Sequence, residues 1–143
     1  FMNRINGSLP KSFYKLNKLE VLSLYNNEIS GEIPSEIYQI KSLKVLQLNS
    51  NKISGKLSKE ISNLSSLESL SLFDNKMIGQ VPADIEKMNN LKEMNISYNN
   101  FNGAISKKLS NKDALNMTML NEQGVASALK IDMFKDKDIV SEE

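Results

Sequence analysis

The chain has 143 residues, room for about one domain by the usual size relation. Eighteen Lys and Arg stand against 17 Asp and Glu, and the signs are interspersed, which excludes the concentrated basic face that nucleic acid or an anionic membrane surface requires. There is no histidine and no cysteine, so the commonest general base, the thiol nucleophile, disulfides and the ordinary transition-metal ligands are all missing; no apolar run is long enough to span a bilayer, and direct membrane insertion of this segment is not expected.

The predicted elements are set by repetition. Leu19, Leu43, Leu67 and Leu91 stand 24 residues apart and open LEVLSLYNNEISGEIPSEIYQIKS, LKVLQLNSNKISGKLSKEISNLSS, LESLSLFDNKMIGQVPADIEKMNN and LKEMNISYNNFNGAISKKLSNKDA. A fixed period of this length means one unit stacked on itself. Before the first full unit, Asn3, Ile5, Gly7, Leu9 and Pro10 match Asn27, Ile29, Gly31, Ile33 and Pro34. The chain therefore reads as starting inside a repeat, as the C-terminal part of something longer.

Each unit begins with a predicted strand. Its positions 1, 4 and 6 are aliphatic (Leu43, Leu46 and Leu48; Leu91, Met94 and Ile96), and 4 and 6 alternate with polar or variable residues. That is the period of a strand with one buried face, so successive units should form one parallel sheet. Position 9 is always asparagine (Asn27, Asn51, Asn75, Asn99, with Asn3 before them), where an inward turn needs both donors and an acceptor for its backbone. Ile29, Ile53, Met77 and Phe101, then Ile33, Leu57, Val81 and Ile105, supply the middle of the core. Position 13 is glycine in Gly31, Gly55, Gly79 and Gly103, which implies a backbone angle or a close approach that a Cβ would spoil. Pro34 and Pro82 fix the exit from that segment. Ile37, Ile61 and Ile85, followed three residues later by Ile40, Leu64 and Met88, predict a short helical turn.

These residues resemble the leucine-rich repeat family, in its 24-residue plant-type class, LxxLxxLxLxxNxLxGxIP, which also occurs in bacterial surface proteins. The resemblance covers residues 1 to about 112. It implies an α/β solenoid: a right-handed curved stack, with a parallel sheet on the concave face and short helical turns on the convex face. In this class the G-x-I-P segment is expected to add a second short strand. Ser58 and Ser106 stand where the class has proline, and the cysteine pairs that often cap plant ectodomains are absent.

The pattern weakens after the fourth unit. Lys112 breaks an apolar column, and Thr118 and Gln123 replace the residues expected at positions 4 and 9. Residues 113–134 read as a degenerate terminal repeat or helical cap. The preferred form is a strand near 115–120 and then a helix over about 125–134, from the spacing of Val125, Leu129 and Met133. Residues 135–143 are a charged tail.

No catalytic, metal or cofactor site is expected. The Ser8–Lys11 and Ser127–Lys130 pairs fit S-x-x-K only as short chance matches, and Asp136 and Asp138 lack the remainder of a calcium loop. Asn6, Asn63, Asn95 and Asn116 open N-x-S/T triplets, acceptors only in a eukaryotic secretory pathway. What remains is the outward face of the sheet. Position 2 reads Glu20, Lys44, Glu68, Lys92, opposite charges on neighbouring strands that favour stacking by roughly 0.2–1 kcal/mol per pair. Position 7 reads Tyr25, Asn49, Phe73, Ser97, and position 8 reads Asn26, Ser50, Asp74, Tyr98. Tyr25, Asn49, Phe73 and Tyr98, with Val21, Val45 and Gln47 around them, form the candidate partner-binding set. Scattered exposed aromatics are also ordinary surface, and that alternative stays open. The expected function is a non-catalytic protein- or peptide-binding module. The alternatives are a rigid spacer or the ectodomain piece of a receptor kinase. The resemblance makes an extracellular or cell-surface location the expectation.

Overall fold

The computed structural model describes residues 6–102, 104–106, 116–118 and 130–132. Its strands are β1 (Asn6–Gly7), β2 (Val21–Ser23), β3 (Glu28–Gly31), β4 (Val45–Gln47), β5 (Lys52–Lys56), β6 (Ser69–Ser71), β7 (Lys76–Gln80), β8 (Glu93–Asn95), β9 (Asn100–Asn102), β10 (Ala104–Ser106), β11 (Asn116–Thr118) and β12 (Lys130–Asp132). All described pairings are parallel. The concave sheet runs β2-β4-β6-β8-β11, with Leu22, Leu46, Leu70 and Met94 in one register row. A second, lateral sheet runs β1-β3-β5-β7-β9. Among the described residues, four 3₁₀ turns, Lys11–Lys15, Ser35–Gln39, Lys59–Asn63 and Ala83–Lys87, close the coils on the convex side.

The alternation read from sequence is what the strands bury. Leu43, Leu46, Leu48, Ile53, Ile61 and Leu64 are fully buried, as are Leu67, Leu70, Leu72 and Ile85. Each such side chain favours the stacked state by roughly 1.5–3 kcal/mol relative to exposure, well above any strand or helix propensity involved. The 3₁₀ geometry explains the spacing of three, because residues i and i+3 eclipse and Ile61 and Leu64 face the core together.

Asparagine stitches the coils together, towards the preceding coil and not the next. Asn75 Nδ2 donates to Leu48 O of the coil before at 2.9 Å and to Leu72 O of its own coil at 3.1 Å, while its Oδ1 accepts Ile53 N–H at 3.0 Å. Asn51 and Asn99 repeat the pattern through Leu24 O with Ile29 N–H and through Leu72 O with Met77 N–H. Asn3 lies outside the described residues.

Serine in place of proline does not interrupt the lateral sheet. Ser58 adopts φ −71° and ψ 146°, matching Pro34 at −68° and 145°. Its hydroxyl accepts Glu60 N–H at 3.0 Å, capping the 3₁₀ turn that proline starts by its fixed φ. Gly55 meets both demands read from sequence. Its φ is +82°, and an added Cβ would come within 2.6 Å of Glu32 Cγ from the preceding coil.

Towards the C-terminus, β11 extends the concave sheet beside β8, and β12 pairs with β10. Residues 130–132 are therefore strand, where the apolar spacing of Val125, Ala128, Leu129 and Met133 predicts helix: pairing to Ala104–Ser106 overrides the local pattern. The rest of the expected helix, and the 135–143 tail, lie outside the described residues.

Candidate functional site on the concave sheet

The outward row of the concave sheet is ordered by strand register. Val21 pairs with Val45, which pairs with Ser69 and then Glu93; Ser23 pairs with Gln47, then Ser71, then Asn95. Val21 is 54% exposed and Val45 half-buried, so two branched apolar residues sit side by side at one end. Gln47 is fixed by its neighbour, Ser23 Oγ donating to Gln47 Oε1 at 2.8 Å. Tyr25 and Asn49 are half-buried on successive coils at the margin of this sheet, where Asn49 O accepts Asn26 N–H at 3.1 Å.

Phe73 and Tyr98 come together. Their ring centroids are 5.2 Å apart at an interplanar angle of 72°, an edge-to-face contact. They come from different positions of the repeat, 7 and 8. Ser97, the position-7 residue of the fourth coil, is covered instead. It is 1% exposed, and its hydroxyl donates to Asn95 Oδ1 at 2.6 Å. The column at position 7 is therefore not exposed at this coil.

Position 8 has a property the sequence reading missed. Asn26, Ser50, Asp74 and Tyr98 all have positive φ, between 59° and 63°. Asn and Asp tolerate this region, but tyrosine pays for its Cβ there. The signal was present in Asn26 and Asp74, the residue types that favour such a turn.

A polar trough was also missed. Ser69 and Ser71 are short where their neighbours are longer, leaving an open depression of about 270 Å³ walled by Gln47, Glu93 and Asn95. Ser69 Oγ reaches Glu93 Oε1 at 3.4 Å. A second hollow of about 210 Å³ lies where Asp74, Lys76 and Tyr98 meet. The charged row beside the trough closes within 4 Å at its first step only, Lys44 Nζ to Glu20 Oε1 at 3.9 Å, with both side chains about half-exposed, so it contributes little. Among the described residues, no cluster of three acidic, histidine or cysteine side chains is placed to hold a metal ion, and no helix is long and apolar enough to cross a membrane.

The N-x-S/T asparagines differ in setting. Asn63 ends a convex 3₁₀ turn and is exposed, whereas Asn95 is half-buried on the concave sheet with its Oδ1 engaged by Ser97. The side chains of Asn6 and Asn116 lie outside the description.

The leucine-rich repeat region model matches residues 2–131, nearly the whole chain. The chain belongs to the leucine-rich repeat family. Solved structures similar to it include plant receptor ectodomains, which places the repeats in the plant-type class. The ectodomain of the receptor kinase SOBIR1 from Arabidopsis thaliana superposes with a TM-score of 0.79 at 27% identity, covering 91% of this chain and 71% of that one. A pollen receptor kinase 3 gives 0.80 at 30% identity, over 97% of this chain and 64% of the other. The plant peptide hormone receptor RGFR1, solved in complex with RGF2, gives 0.79 at 29% identity, over 93% and 23%. This leucine-rich repeat chain thus spans between about a quarter and seven-tenths of these three chains. No curated protein matches it.

Proposed function

We propose that the concave face is a non-catalytic surface that binds a protein or an extended peptide. Tyr25, Asn49, Phe73 and Tyr98 serve as anchors, with Val21, Val45 and Gln47 beside them. The observation that carries this reading is the Phe73–Tyr98 contact at 5.2 Å, two aromatic rings held against each other at the edge of the sheet. The strands position these rings before a partner arrives, so less ordering entropy opposes association. The hydroxyls and amides of the trough between Gln47 and Asn95 offer hydrogen bonds to a peptide backbone. Similarity to a receptor solved with a peptide hormone supports a peptide as the partner and a cell-surface setting. We assign residues 1–112 to the repeat array, 113–134 to its terminal unit and 135–143 to a charged tail.

The test is a double variant, Tyr25→Ala with Phe73→Ala. Partners cross-linked to the wild-type concave face should be lost at least tenfold, with circular dichroism unchanged. Undiminished capture would favour a rigid spacer that uses its shape alone.

A further inference from the structure

The second surface of interest lies on the lateral side, away from the concave sheet. An open groove of about 760 Å³ crosses four successive coils, from Leu9 past Ile33 and Pro34 to Ile78. Leu9 and Ile33 are buried edges of the core, whereas Ile78 is 47% exposed. Three coil steps of about 4.8 Å span roughly 14 Å, the length of about four extended residues.

Two observations mark this groove as built for an occupant. The first is Tyr38, which lines it. The residue is 2% exposed, and its hydroxyl is buried with no hydrogen-bond partner. The Ser58 backbone and the Glu60 carboxylate lie close enough to act on the phenol, but Ser58 does not reach hydrogen-bond geometry. A buried hydroxyl donor left unpaired is costly and calls for an acceptor. The second is charge. Glu32, Glu36 and Glu60 line the groove, and none of them forms an ion pair among the described residues; Lys11 and Lys56 share the rim, also unpaired, leaving one carboxylate in excess. Glu36 and Glu60 recur at the same place in successive 3₁₀ turns. Asp84, next in that row, is already met by Lys87 at 3.9 Å. Gly55 shapes the wall, because its missing Cβ lets Glu32 lie across it.

We infer that this lateral groove binds an extended peptide segment carrying a basic side chain next to an apolar one. The basic group sits between Glu36 and Glu60, the apolar one on Pro34 and Ile78, and a backbone carbonyl accepts from Tyr38 once its hydroxyl turns out of its buried position into the groove. The inference is independent of the concave-face reading.

A phage-displayed random dodecapeptide library, selected on the intact chain, tests it. Enriched peptides should pair Lys or Arg with an aliphatic or aromatic neighbour. When resynthesised, they should bind about tenfold more weakly to the Glu36→Lys, Glu60→Lys double variant, about fivefold more weakly to Tyr38→Phe, and equally to Tyr25→Ala, Phe73→Ala. Tyr38→Phe should also melt at a higher temperature than wild type, so weaker binding there is not a folding defect. No enrichment, enrichment of peptides without a basic residue, or affinity unchanged by the Glu36 and Glu60 substitutions overturns the inference. Loss through the Tyr25 and Phe73 substitutions instead assigns the peptides to the concave face and overturns it as well.

Discussion

Tyr14 and Tyr38 hold the same place in successive coils, yet Tyr14 is 41% exposed and Tyr38 2%. Burial pushes the Tyr38 pKa from 10.0 up to about 12. Folded protein therefore keeps the phenol proton over a range where unfolded chain has released it. Stability is full below pH 10 and falls as pH rises from 10 to 12, by about 2–3 kcal/mol in total. Urea titrations at stepped alkaline pH should show this loss in wild type and a shallower one in Tyr38→Phe. At neutral pH the same variant should be more stable by about 1 kcal/mol, because an unpartnered buried hydroxyl is gone.

Gly55→Ala should cost about 2 kcal/mol. Part is the strain of φ +82° for a residue with a Cβ, and part is displacement of Glu32. Adding Glu32→Ala should recover the second part and leave the first. A double-mutant cycle on denaturation midpoints separates them.

Asn75→Leu should destabilise by about 2–3 kcal/mol, since Ile53 N–H loses its acceptor inside the core. Asn49→Ala, half-buried at the margin of the sheet, should change stability by no more than about 0.5 kcal/mol. Chemical denaturation of both variants gives the comparison.

Tyr98→Asn should keep or slightly raise thermal stability, because asparagine tolerates φ 61° better than tyrosine. It removes the edge contact to Phe73, so affinity for a concave-face partner should drop about tenfold. A melting temperature that holds while binding falls is the expected signature.

The array was legible in the sequence because its causes are local and repeated. Leucine alternation, position-9 asparagine and position-13 glycine each act through backbone geometry that every coil shares. What was not legible depends on one neighbour. Ser97 is covered while its hydroxyl bonds Asn95, and Tyr98, from the next position of the repeat, meets Phe73. Glu32 lies flat because the coil above it lacks a Cβ at Gly55. Neither relation leaves a period. The strand at Lys130–Asp132 leaves no local signature for a similar reason: its partner is 26 residues earlier, at Ala104–Ser106.

The cross-coil bonds of Asn51, Asn75 and Asn99 point backwards along the chain, and this gives the stack a direction of failure. Each coil supplies the acceptor for its predecessor: Asn99 for Met77, Asn75 for Ile53, Asn51 for Ile29. Peeling away a late coil strips an amide acceptor from the one before it, which then loosens in turn. Unravelling that begins at the C-terminal side should run upstream like a dropped stitch, while damage at the other end costs a later asparagine one cross-coil acceptor and leaves its own-coil bond, as Asn75 keeps Leu72 O when it loses Leu48 O.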